Sequence, residues 1–157
     1  MKPTRLPVLA VIVIVAAALM WSVVRFLYGS LPLLPWTMVP SLLLLSLGEL
    51  YTASVTRARI QRRPGTKPIE PLIAARLAAL AKASAHGAAA LTGVFGGITI
   101  YLASSLDKPT PRRDFFVSGG TALAALALIA AALILEHACR VPKGPEDEDD
   151  RHSATRI

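Results

Sequence analysis

The stretch LPVLAVIVIVAAALMWSVV, residues 6–24, carries no charged side chain over a length that matches the thickness of a lipid bilayer. An α-helix rises about 1.5 Å per residue, so roughly 20 residues cross a hydrocarbon core about 30 Å thick. Three further stretches read the same way. Residues 83–106 and 115–135 are free of charge, and residues 37–56 are interrupted once, at Glu49. The sequence therefore predicts an all-α integral membrane protein, a four-helix bundle with helices over about 6–28, 36–58, 71–103 and 114–139. Residues 1–142 form the four-span domain in this reading, and residues 143–157 a disordered acidic tail around Glu146–Asp150, with few apolar side chains to bury.

Composition points to the same class. Hydrophobic residues make up 54% of the 157 positions and the charges gather in short blocks, which leaves no length for a separate soluble domain. A formal charge of +7 would suit a nucleic-acid binder only if it lay on a folded soluble face; here the basic residues flank apolar runs, so no nucleic-acid partner is expected. The first apolar stretch is longer than the core of a signal peptide and no small-x-small cleavage site follows it, so it reads as an anchor. A single cysteine, Cys139, excludes an intrachain disulfide, and no Cys-x-x-Cys pair is present to hold zinc.

Four crossings put the N-terminus, the middle loop and the C-terminal tail on one side. Thirteen of the 17 lysines and arginines then share that side, and only Arg25, Lys108, Arg112 and Arg113 lie opposite. Positive residues are retained in the cytoplasm, so both termini are expected there. Trp21, Phe26, Tyr28, Trp36, Tyr101, Phe115 and Phe116 gather towards the outer ends, as expected of rings that favour the headgroup boundary. Prolines 32, 35, 40, 109 and 111 punctuate the outer connections, which predicts short extended turns between antiparallel neighbours. The inner loop carries Arg57, Arg59, Arg62, Arg63 and Lys67, placed to touch anionic lipid headgroups. Ile69, Leu72, Ile73, Leu77 and Leu80 then recur at helical spacing, as in a segment lying along those headgroups before the chain turns inward.

Glu49 is the most expensive residue in the chain. It falls about eight positions before Arg57, on the order of 10 Å below the boundary of an upright helix, where a carboxylate must be protonated, hydrated or paired. Lys82 enters from the same side on the third helix and Arg76 is a second candidate partner, while His86 follows Lys82 by one turn on the same face. Glu49, Lys82, His86 and Arg76 make a candidate intramembrane polar cluster. Its plainest role is an ion pair or hydrogen bond that locks helices together; its sharper role is a proton or ion relay. Glu136 and Cys139 share a face near the end of the fourth helix, but they are too few to hold a metal.

Small residues recur every four positions on the third helix, with Ala85, Ala89, Gly93 and Gly97 on one row and Ser84, Ala88, Thr92 and Gly96 on the next. Such rows let two backbones approach closely, and in lipid that contact drives association. The partner could be another helix of the same chain or one of a second copy. Both hairpins have a proline-bearing outer turn and a glutamate near the inner end of their second helix, Glu49 and Glu136, which raises the idea of an internal repeat.

The segments Arg62-Arg63-Pro64-Gly65-Thr66-Lys67-Pro68, Leu80-Ala81-Lys82-Ala83-Ser84 and Glu136-x-x-Cys139-Arg140-Val141-Pro142 resemble the family called domain of unknown function 3180. The resemblance covers nearly the whole chain to about Pro142. It implies a small four-span plasma-membrane protein of high-GC Gram-positive bacteria, often encoded beside folate-biosynthesis genes, with no assigned activity and so no catalytic residues to carry over. No catalytic motif of the common kinds occurs, and neither cofactor nor metal is expected. The expected role is structural or accessory, through lipid and a protein partner or a second copy. An oligomeric transporter or channel using the polar cluster is the alternative.

Overall fold

The computed structural model describes residues 4–27, 34–60 and 71–139. Within them lie four helices, α1 (Leu6–Leu27), α2 (Met38–Ile60), α3 (Pro71–Leu102) and α4 (Pro109–Ala138). Each contains a segment of 22 residues or more that is long and apolar enough to cross a membrane. Arg62, Arg63, Lys67 and the acidic tail lie outside the described residues.

The helices form a bundle centred on the α3–α4 pair. α1 rests on α3 and α2 on α4. Contacts along the first pair advance together, Gly93 facing Val13 and Gly97 facing Ala17, so α1 and α3 run parallel. Gly120 meets Val39 near the start of α2, while Ala53 shares a cluster with Leu135 and Ala138, so α2 and α4 are parallel as well. The two pairs meet antiparallel across α3 and α4, where Thr99 opposes Ser118 and Ala89 lies with Ala132. This arrangement departs from the expected hairpin of neighbouring α1 and α2. Leu34, ahead of α2, is buried with Val24, Phe95, Ile98 and Leu102, so the chain entering α2 is seated against the end of α3 while α2 itself packs on α4. The two hairpins are thus not packed alike, which argues against the internal repeat.

Two boundaries differ from the sequence reading. α4 begins at Pro109 rather than near residue 114, with Lys108 as its N-cap and both prolines in the first turn. Proline is tolerated there because first-turn N–H groups have no intrahelical acceptor in any case. α3 runs unbroken for 32 residues, about 48 Å at the standard rise, so its amphipathic start continues the helix axis instead of lying along the headgroups.

What each helix buries follows from its surroundings being hydrocarbon. On α2 the buried described positions are Ser46, Glu49, Ala53 and Thr56, a seam at spacings of three and four, whereas Leu43, Leu44, Leu45, Leu47 and Tyr51 are exposed. On α4 the seam Asp114, Ser118, Thr121, Ala125, Leu128, Ala132 and Leu135 is buried while Phe116, Leu123, Leu126 and Ile134 face outward. The buried seams take Ser, Thr, Glu, Asp and small residues with a few leucines, and most large apolar side chains point out. In water that would be upside down; in lipid it puts apolar bulk against acyl chains and polar groups against one another. The multi-pass membrane reading of the sequence thus has its counterpart in the packing.

Candidate functional site

The inward polar groups are mostly satisfied by their own helices. The Ser46 hydroxyl donates to the Leu43 carbonyl (2.8 Å), Thr92 to Ala88 (2.8 Å) and Thr121 to Val117 (2.7 Å). Such back-bonding lets hydroxyls sit inside a bundle at little cost. Near the end of the bundle where α4 begins, the Thr99 hydroxyl also reaches the Ser118 hydroxyl at 2.9 Å, joining α3 to α4.

Glu49 stands apart from these. It is 6% exposed, it faces the Ser84 side chain of α3, and its Oε2 has no hydrogen-bond partner among the described residues. The side of α3 that carries Ser84 bears on the expected cluster. Helical positions are separated by about 100°, so a residue two places away points some 200° round the axis. Lys82 and His86 each lie two places from Ser84 and therefore face the other side of α3. Lys82 is exposed, and the half-buried His86 turns its Nδ1 to the Lys82 carbonyl oxygen at 2.7 Å. Arg76, two turns earlier, is exposed too. Lys82 and His86 do share a face, as their spacing implies, but the structure brings neither to Glu49.

The small-residue row finds its partner within the chain. A Cβ built on Gly93 would stand 2.5 Å from the Val13 carbonyl oxygen and 2.6 Å from the Ala16 Cβ, distances no real side chain shows. Ala85 and Ala89 continue the contact, buried with Leu9 of α1. α1 contributes Ala16 and Ala17 at the closest point, so small residues face small residues.

Two acidic groups have positions that the sequence reading did not give them. Asp114 is 4% exposed inside α4, on the same seam as Ser118 and Thr121. The sequence reading makes it the first residue of the fourth helix; with the helix beginning at Pro109 it lies more than a turn inside and on the buried seam. Glu136 accepts the backbone N–H of Thr4 through Oε1 at 2.9 Å, holding the start of α1 against the end of α4. A carboxylate at a helix N-terminus also complements the partial positive charge there. Both ends of the described chain therefore lie at one end of the bundle.

Between α2 and α4, at that same end, is a groove of about 750 Å³ lined by Leu50, Ala53, Ser54, Arg57, Leu133 and His137, among others. Among the described residues no group of three or more His, Cys, Asp or Glu side chains is placed to hold a metal ion.

The model of one family, protein of unknown function (DUF3180), matches residues 9–143. The chain belongs to that family. The match runs through all four helices and ends before the acidic run at Glu146, so the common element of the DUF3180 proteins takes in the whole bundle. No match was found among curated proteins or among solved structures.

Proposed function

We propose that this protein is a structural or accessory component of the plasma membrane, non-catalytic, with both termini in the cytoplasm, acting through packing against lipid and a protein partner. The observation that carries this reading is the inward seam of α2, where Glu49 is buried in line with Ser46, Ala53 and Thr56 and faces α3 on the side of Ser84. Lys82 and His86 lie on the opposite side of α3, which favours a packing role for these residues over a charge relay. The hydroxyls of Ser46, Thr92 and Thr121 are bonded to their own helices, as in a packed interior. The side of the membrane rests on the basic residues alone.

Purified protein in vesicles enclosing a pH-sensitive dye tests the reading. Proton and cation leakage should equal that of protein-free vesicles, and a photo-crosslinking residue at Leu44, on the exposed face of α2, should give a discrete adduct with another protein in cells. A conductance that Glu49→Gln abolishes would overturn it in favour of transport.

A further inference from the structure

We infer that the groove between α2 and α4 is a binding site for one anionic phospholipid, its phosphate held by Arg57 and His137 and an acyl chain laid along the apolar floor below. The inference goes beyond the accessory reading and does not depend on it. Arg57 lies three residues before the end of α2 and His137 one before the end of α4, so the guanidinium and the imidazole stand together where these helices end. Below them the walls turn apolar, with Leu50 and Ala53 from α2 and Leu133 and Ile134 from α4. Leu50 is seven residues from Arg57, so the floor reaches about 10 Å below the cation, into acyl-chain depth.

Charge and shape both select the occupant. Arg57 and His137 are exposed, and among the described residues neither has an acidic partner, so the described rim of the groove presents the Arg57 charge and an imidazole to a ligand. Arginine presents a planar fork of donors suited to a phosphate, and a histidine ring offers an N–H in either charge state. Ser54 lines the wall between the rim and the floor, its hydroxyl donating to the Tyr51 carbonyl oxygen at 2.7 Å. A soluble phosphate would use the rim and leave the floor bare. A phospholipid uses both, and basic pockets between transmembrane helices at the cytoplasmic face are a known setting for anionic headgroups.

The test is native mass spectrometry of the full-length protein released from nanodiscs of equal parts phosphatidylglycerol and phosphatidylcholine. The wild type should retain one phosphatidylglycerol in preference to phosphatidylcholine. Arg57→Gln should lower that preference roughly fivefold, the effect of removing one cation near a charged headgroup, and adding His137→Gln should lower it further. Arg59→Gln, on the same helix but outside the groove, removes only diffuse headgroup attraction and should lower it much less than Arg57→Gln. Leu133→Trp, which fills the floor without altering charge, should reduce retention of both lipids; the Gln variants alter only exposed side chains and keep the test sound should the Trp variant misfold. Equal losses in Arg57→Gln and Arg59→Gln would mean diffuse surface attraction and overturn the site. So would a dimer in the same spectra that Leu133→Trp dissociates, since a second copy would then fill the groove.

Discussion

Gly97 of α3 lies so close to Ala17 of α1 that a Cβ on the glycine would stand 2.5 Å from the Ala17 carbonyl oxygen. The obstacle is backbone, which cannot rotate away as a side chain can. Gly97→Ala should therefore force the two helices apart and cost about 1–3 kcal/mol, the usual penalty for overpacking a filled interface. Gly96→Ala is the control. Nothing lies within 4 Å of the Cβ it would add, and the change should be neutral or slightly stabilising. Thermal unfolding in mild detergent compares the two directly; equal effects would refute the tight α1–α3 approach.

The contact between Glu49 and Ser84 predicts which substitutions couple. Glu49→Gln and Ser84→Ala alter two side chains that face each other, so their effects on stability should be non-additive by about 0.5 kcal/mol or more. Glu49→Gln and Lys82→Met should add, because Lys82 faces the other side of α3. Coupling between Glu49 and Lys82, with none to Ser84, would instead restore the ion pair that the sequence suggested.

Cys139 is buried beside Ala53, Ala81, Leu135 and Ala138 at the end of α4, and burial pushes its thiol above the ordinary value. The thiolate is the reactive form, so maleimide labelling of the folded protein near neutral pH should be slow, rising roughly tenfold per pH unit. Labelling should become fast once the protein is unfolded in a harsh detergent. The sign for stability follows from linkage: the thiol's contribution is complete below its unfolded pKa of about 8.5 and declines as pH rises, because the unfolded chain ionises first. A folded protein that labels as fast as the unfolded one would show that the cysteine is not enclosed.

Orientation is testable independently of packing. With Cys139 replaced by alanine and a single cysteine placed at Thr66, an impermeant reagent applied to intact cells should leave the protein unmodified, and cell lysis should expose it. Strong labelling before lysis would place the basic middle loop outside and reverse the topology.

The sequence alone determined that there are four spans, their approximate ends and the all-α class, because transfer into hydrocarbon is decided residue by residue over a local window. It also singled out the Gly93 and Gly97 row as a packing surface, since absent bulk is legible in any string of residues. It could not say that α1 is the partner, nor that Glu49 meets Ser84 rather than Lys82. In water a helix advertises its buried face by where its apolar residues fall; in lipid the outside is as apolar as the inside, so the leucines of α2 do not say which way they point. Facing is then set by helix order and rotation, which put α2 on α4 and turned Ser84 towards it. The burial of Asp114 was hidden for a related reason: the prolines before it read as a turn by local preference, and only the assembled bundle shows them as the first turn of α4 with the carboxylate inside.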